Sequence, residues 1–459
     1  MTNTDVKRQK LKMRGSDMSM IIKPILSALV QVEKGDSIRN AMNRIRSEYT
    51  LTKEEEARIY YFIFNIIGKL NVIDLYIKES SSYFSLKKLS FEKKALLRLI
   101  TFIVKYAQVY SSMLGDIKKE FNTLFNNNKN FDFEGIVKNI DSVSMQMLER
   151  NKDEISLLSL KYYTPTWIIR KLFSQWGEDF SLDFLNSIQT VLPTYIRVNT
   201  LKSELKEIEQ VLTSFDIEYE IDKDIPNLIQ IKKSPVALPR LDIFKNGKIV
   251  IQQKSSALVS LIVKPKPHDL ILDVCAAPGQ KTSHLAALNN SGNNIFVCEL
   301  NERRVSILKN RMGLLGVNGI EIINTDSRMV SSLFNNKFNK ILLDPPCTGS
   351  GTYSTRPETK FRLEKRDLKF YTAIQRKLLD ESARILRDGG EITYSTCSIF
   401  KDENVYVIEE FLSKNTNFSI VKMEPMIGLR IESLENKAQM LTPSLHNTEG
   451  FFIVKLRKD

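Results

Sequence analysis

From Lys264 onward the chain repeats one unit, a short apolar strand, a loop, and a helix carrying an apolar stripe. Strands are expected at residues 269–274, 295–299, 320–325, 340–343 and 391–394. Helices at 301–315 and 368–386 lie between them, the second ending at Asp388-Gly389-Gly390. Such alternation is the rhythm of a doubly wound parallel sheet, with helices on both faces. The closing run Gly450-Phe-Phe-Ile-Val-Lys-Leu456, preceded by 418–423, adds a terminal antiparallel pair.

Three of these strands end in chemically distinctive residues. Leu270-Ile-Leu-Asp273-Val runs into Cys275-Ala-Ala-Pro-Gly-Gln-Lys281. Ile341-Leu-Leu-Asp344 continues as Pro345-Pro346-Cys347, and Glu391-Ile-Thr-Tyr-Ser-Thr ends at Cys397-Ser398. In an open parallel sheet the carboxyl ends of the strands share one edge, and ligands bind there. Two thiols, a carboxylate and a small-residue loop are therefore expected around one crevice. Metal binding would want several thiols or imidazoles, and the chain has only three histidines, none beside these cysteines. Covalent catalysis on an electrophilic carbon, next to a bound nucleoside cofactor, fits better.

The first loop is not GxGxxG, so a dinucleotide is unsupported. Ala276, Ala277, Pro278 and Gly279 still let a ligand approach the backbone, and a helix read as starting at Thr282 points its positive end there. Glu299 ends the second strand, where an acid can accept from both ribose hydroxyls. Asp326 ends the third, where a carboxylate can take an adenine amino group. Singly, each acid is more often a cap or turn residue; acids on consecutive strand ends favour the nucleoside. S-adenosyl-L-methionine fits better than a dinucleotide, because neither hydride-transfer machinery nor a second nucleotide-binding half is apparent.

Asp344-Pro-Pro-Cys347 invites comparison with the Asn/Asp-Pro-Pro-aromatic motif of enzymes that methylate exocyclic amines. An amine carries its own lone pair and needs no enzyme nucleophile. Carbon 5 of a pyrimidine becomes electron-rich only after a nucleophile adds at carbon 6, and a thiolate suits that addition near neutral pH.

The set of motifs resembles the RNA 5-methylcytosine methyltransferases of the Nop/Sun (NSUN) family. The resemblance rests on Asp273-Val-Cys-Ala-Ala-Pro-Gly-Gln-Lys-Thr282, Asp344-Pro-Pro-Cys-Thr-Gly-Ser-Gly351 and Tyr394-Ser-Thr-Cys-Ser398. Arg197-Val-Asn-Thr200, Glu403-Asn404 and Gly450-Phe-Phe452 support it, and it covers about residues 155–459. The helical front region resembles the NusB-like domain of the RsmB-like bacterial small-subunit rRNA members. The implied fold is a class I, Rossmann-like methyltransferase sheet, of which the antiparallel tail is typical, behind an all-α NusB-like domain and a small α/β connecting region.

The resemblance implies roles position by position. Cys397 attacks carbon 6, and Cys347 aids release of the product. Asp344 holds the base edge near ring nitrogen 3 and borders the cofactor, while Lys281 points into the cleft. The loop Cys275–Lys281 with Glu299, Asp326 and Asp344 holds S-adenosyl-L-methionine. Gln280 departs from the family, where many members carry a second glycine, so altered loop geometry is expected. Glu449 replaces the usual Asp. Cys275, within the loop, and Cys298 are read as packing thiols without a chemical role.

At 459 residues the chain is long for one core. Residues 1–19 are expected as a basic tail, 20–150 as an all-helical RNA-binding domain, 155–260 as the connecting region and 264–459 as the methyltransferase domain. In the helical part Asp36-Ser37 and the Thr52/Glu55 capping box announce helix starts, and 93–110 reads as a buried helix. The asparagine cluster at 126–130 reads as a loop, and Trp167 and Trp176 as core residues. The formal charge of +13 favours a polyanionic partner. The stretch Thr355–Arg362, with Lys365-Arg366 and Lys369-Phe370-Tyr371, interleaves bases and aromatics that could guide an RNA strand; beyond Lys365 a solvated helix explains the pattern equally well.

Four cysteines in so long a chain suit a reducing cytosol better than a disulfide framework. Neither a signal peptide nor the roughly 20 apolar residues of a membrane helix is present. The expectation is a cytoplasmic monomer acting on RNA, with rRNA favoured and tRNA possible. The rival readings are a tRNA cytosine-5 methyltransferase and an inactive RNA-binding assembly factor.

Overall fold

The computed structural model describes residues 18–80, 85–125, 132–290, 292–334 and 338–459. Most of the expected basic tail and the asparagine cluster lie outside the described residues. The chain forms two compact units. One runs to Arg170 and includes Arg356–Phe361; the other holds Lys171–Thr355 and Arg362–Asp459. The break thus falls inside the helix Thr166–Trp176, later than the boundary near residue 155 that the change of sequence character suggests.

The first unit is all-helical, the organisation expected of a NusB-like domain. Ser37 caps Ile38–Glu48, its side chain accepting from the Asn40 amide, and the Thr52/Glu55 capping box opens Lys53–Gly68. At the centre lies Phe91–Tyr106, in which every residue from Ala95 to Val104 is buried. A helix surrounded on all sides needs apolar residues all round, and its one charge there has to be paired. Arg98 meets Asp74 with two bonds, at 2.7 and 2.8 Å, and Glu33 at 2.7 Å. Arg356–Phe361 was expected to guide RNA, but two of its charges point inward. Glu358 accepts from the Ile38 amide at the start of its helix, and Lys360 donates to the Gly68 carbonyl at the end of another. Each charge matches the helix end it meets.

The second unit contains two sheets. The smaller is antiparallel, with strands β1 (Thr194–Val198), β2 (Glu218–Ile221), β3 (Leu228–Lys233) and β4 (Ile249–Ile251) in the order β2-β3-β1-β4. The larger begins with β5 (Ile271–Asp273), β6 (Ile295–Glu299), β7 (Glu321–Asn324), β8 (Phe338–Leu343) and β9 (Leu386–Thr396). It ends with β10 (Phe418–Ile420), β11 (Leu429–Arg430), β12 (Gln439–Leu441) and β13 (Phe451–Lys458). Its order is β11-β12-β13-β9-β8-β5-β6-β7, with β10 also paired to β13. β9, β8, β5, β6 and β7 are parallel, and β13 runs antiparallel to β9.

The order reverses at β5: β8 lies on one side and β6 on the other, which is the switch point where an α/β sheet opens a ligand crevice. β9 starts earlier than its sequence pattern suggested. Phe338 pairs with Leu386 and Lys340 with Glu391, so Arg387–Gly390 bulges between them. Asn199, in the Arg-Val-Asn-Thr motif, ties the sheets together by donating to the carbonyls of Gly247 and Leu315, both at 2.8 Å.

Candidate active site

The loop after β5 is shaped by what lies behind it. Gly279 adopts φ +94°, and a Cβ there would stand 2.5 Å from Leu308 Cδ1 and 2.7 Å from Met312 Cε. Only glycine meets both conditions. The helix that follows, Gln280–Leu288, starts two residues before the expected Thr282. Gln280, the departure from the family pattern, turns its amide away from the loop and donates to the Ile251 carbonyl at 2.8 Å. Its side chain thus anchors the loop to β4 and does not line the crevice; only its backbone remains available there.

Lys281 reaches from this helix to the end of β8. Its Nζ lies 2.7 Å from Asp344 Oδ2, and Ser395 on β9 donates to Asp344 Oδ1 at 3.1 Å. The Lys281 ammonium also faces the Phe451 ring at 5.3 Å. Burial disfavours the ammonium, but the Asp344 charge and hydrogen bond outweigh it, and the lysine is held above its ordinary range. Asp273, at the end of β5, is fully buried and accepts from Thr282 Oγ1 at 2.7 Å. Burial, with a smaller contribution from the Asp344 charge, pushes its carboxyl up to about 7.

Glu299 is buried at the end of β6 and accepts from the Asn301 amide at 3.0 Å. Arg304, which the sequence reading missed, bonds both this carboxylate and the Ala277 carbonyl and so pins the loop to β6. Asp326 lies beyond β7, where both its oxygens meet the Arg328 guanidinium. That pair leaves fewer acceptor positions for an adenine amine than an isolated carboxylate would. The donors and acceptors present still fit S-adenosyl-L-methionine: a small-residue turn at a helix N-terminus, then carboxylates at the ends of β6, β7 and β8 for hydroxyl, amine and ammonium groups.

The two thiols come together. Cys347 follows β8, Cys397 follows β9, and these strands are parallel neighbours, so both loops leave the same edge of the sheet. The sulfurs are 3.3 Å apart and both residues are half-buried. Contact with Cys397, followed by burial, pushes the Cys347 thiol well up. Cys298 is buried, and desolvation pushes it up to about 12. Burial and the surrounding acids also hold the Cys275 thiol protonated. Both directions favour the neutral thiol, in keeping with the packing reading of these two cysteines. Of the two tryptophans, Trp176 stacks on Phe180 and donates to the Ile399 carbonyl at 2.8 Å, a structural role.

Against this geometry, residues 260–457 match the family model of 16S rRNA methyltransferase RsmB/F. This part of the chain is an RsmB/F family methyltransferase domain. Residues 164–237 match the ferredoxin-like domain that RsmF/B-like methyltransferases carry, a stretch that includes β1, β2 and β3 of the smaller sheet but ends before β4. Among relatives, the probable ribosomal RNA small subunit methyltransferase B of Bacillus subtilis is 27% identical over 71% of this chain and 73% of its own length. The 25S rRNA (cytosine-C(5))-methyltransferase nop2 of Schizosaccharomyces pombe is 30% identical over 65% of this chain, which spans about half (51%) of that protein. The crystal structure of PH0851 superposes with a TM-score of 0.84 at 27% identity, covering 97% of this chain and all of that one. RsmB/F methyltransferases use S-adenosyl-L-methionine, in keeping with the residues around β5, β6 and β8.

Proposed function

We propose that this protein is an S-adenosyl-L-methionine-dependent RNA (cytosine-5) methyltransferase that acts on small-subunit rRNA through a covalent intermediate. The observation that carries the reading is the pair of half-buried thiols, 3.3 Å apart at the ends of adjacent parallel strands. Beside them lies a carboxylate already held by a lysine and a serine. The rRNA relatives and the net charge of +13 support the substrate class.

Cys397, as thiolate, adds to carbon 6 of an extruded cytosine, and the ring electrons move to carbon 5. Asp344, oriented by Lys281 and Ser395, holds the base edge near nitrogen 3, and the ammonium of the Lys281–Asp344 pair offsets the negative charge that the addition places on the ring. S-adenosyl-L-methionine, when bound, supplies an electrophilic methyl group. The carbon 5 proton then passes to water, the electron pair of that C–H bond re-forms the carbon 5–carbon 6 double bond, and the Cys397 sulfur leaves as thiolate. Cys347, in contact with that sulfur, assists its departure.

The enzyme is read as a cytoplasmic monomer. No helix among the described residues is long and apolar enough to cross a membrane. Incubation with methyl-labelled cofactor and RNA from a strain lacking the gene, followed by nucleoside analysis, tests the function. Labelled 5-methylcytidine in small-subunit rRNA is expected. Label in tRNA alone would move the substrate, and tight RNA binding without transfer would point to an assembly factor.

A further inference from the structure

Sheet pairing between β8 and β9 stops at Leu343 and Tyr394. Cys347 lies four residues past the first and Cys397 three past the second, where no ladder fixes their separation. We propose that Glu403 is the positioning residue of the two-thiol centre: a single carboxylate ties the residue after Cys347 to the residue after Cys397 and thereby sets the distance between the sulfurs. This rests on the two-cysteine reading above and adds a residue to it.

Glu403 has no exposed surface, and its carboxylate acts on the two thiols through the residues that follow them. Its Oε1 accepts from the Thr348 amide at 2.8 Å and from Gln375 Nε2 at 3.0 Å. Its Oε2 accepts from the Thr348 hydroxyl at 2.5 Å and from the Ser398 hydroxyl. Gln375 also donates to the Pro346 carbonyl at 2.9 Å, so residues on both sides of Cys347 are held from one point. The Tyr394 hydroxyl donates to the Glu403 carbonyl at 2.6 Å and fixes its backbone to the end of β9.

Among the described residues no lysine or arginine pairs with this carboxylate. Burying an unpaired carboxylate costs several kcal/mol, and a purely structural clamp could be built from neutral amides at lower cost. What a carboxylate alone offers is acceptance on both oxygens, so that two hydroxyls, a backbone amide and a side-chain amide converge on it. A glutamine would present an NH2 where Thr348 and Ser398 now donate. The charge has a second consequence: together with contact with Cys397 and burial, it favours the neutral Cys347 thiol.

The test is Glu403→Gln in the full chain, read in two ways. In methyl transfer to rRNA, kcat should fall at least tenfold while KM for RNA and binding of S-adenosylhomocysteine stay within about twofold. In the absence of RNA, diamide closes the Cys347–Cys397 pair: each thiol gives up one hydrogen to the N=N bond, a disulfide forms and the reagent becomes the hydrazine. Its rate, followed by mass spectrometry of the linked peptides, should drop severalfold in the variant. Loss of a nearby negative charge would by itself raise thiolate content and speed that reaction, so slowing has to come from geometry. Wild-type kcat together with wild-type closure overturns the proposal. Should Glu403→Gln fail to fold, Thr348→Val removes one donor to Glu403, and unchanged closure in that variant overturns it equally. If the wild-type enzyme transfers no methyl group to RNA, the functional reading fails while the closure assay still decides the role of Glu403.

Discussion

Lys281 Nζ lies 2.7 Å from Asp344 Oδ2 and bridges the ends of two adjacent strands, β5 through its helix and β8 directly. The lysine is held above its ordinary range, so its ammonium persists at neutral pH, and the pair's contribution to stability is lost only as pH rises through that elevated value. Lys281→Met leaves Asp344 with the Ser395 hydroxyl as its remaining partner from this set. Removing one partner of this half-buried pair costs less than the about 3–5 kcal/mol of a fully buried one. Methyl transfer is expected to fall by roughly 100-fold or more, and Lys281→Arg should recover part of it. Wild-type turnover in Lys281→Met would remove this pair from the mechanism.

The two cysteines should separate into distinct phenotypes. Cys397→Ala removes turnover while S-adenosylhomocysteine still binds, as calorimetry would register. Cys347→Ala leaves attack intact and slows departure, so a protein–RNA adduct should survive denaturing electrophoresis. If the adduct appears instead in Cys397→Ala, the assignments are reversed.

Much of this arrangement is readable from local pattern. Ser37, Thr52 with Glu55, and Asn301 announce helix starts through bonds made within three residues. Asp344 and Cys347 or Ser395 and Cys397 are fixed by strand-end position, which topology converts into proximity. What escaped the sequence depends on contacts between distant segments. The Gln280 amide turns to Ile251, 29 residues away, and Arg304 reaches back 27 residues to Ala277. Lys360 reads as a base that could guide RNA but is buried against Gly68. Glu403 was visible as a motif residue, yet its role depends on Thr348, 55 positions earlier. The available signal was the Glu403-Asn404 pair, six positions after Cys397.

Asp273 provides a pH test. Burial holds its carboxyl at about 7, so the folded chain keeps a proton that the unfolded chain releases near the ordinary carboxylate range. Its effect on stability is most favourable below that range, declines as pH rises towards 7, and is constant above. A displacement of this size corresponds to on the order of 4 kcal/mol. Asp273→Asn, which keeps an acceptor for Thr282, should melt higher than wild type at pH 8 in the absence of ligand, with the gap closing towards pH 4. An equal gap at both pH values would mean that Asp273 titrates normally.

Gly351 is required by a neighbouring backbone. A Cβ there would stand 2.0 Å from the Gly450 carbonyl oxygen, a group that cannot rotate away. The same glycine donates to the Cys397 carbonyl at 2.8 Å and accepts from the Gly450 amide at 2.9 Å. Gly351→Ala should therefore displace the Cys397 loop, reduce turnover by about two orders of magnitude and lower the melting temperature by several degrees, since a 1 kcal/mol loss shifts a domain of this size by about 2–4 °C. Binding of S-adenosylhomocysteine, which does not depend on the Cys397 loop, should change little. A fully active Gly351→Ala enzyme would show that the Cys397 loop tolerates the shift.

The exposed start of the helix Lys365–Ile385 decides how RNA approaches. Lys365, Arg366 and Lys369 are exposed, and Phe370 beside them is 61% exposed. The Arg366–Glu364 pair is itself solvated and so holds Arg366 only weakly. If these bases contact phosphates of a single strand, each releases counterions on binding. Replacing all three by Gln should reduce the slope of log affinity against log salt by about 2, from roughly 0.7 per contact. Phe370→Ala should weaken binding with little change in that slope, because stacking carries no counterion release. An unaltered slope in the triple variant would leave this face a solvated helix and place the RNA path elsewhere on the second unit.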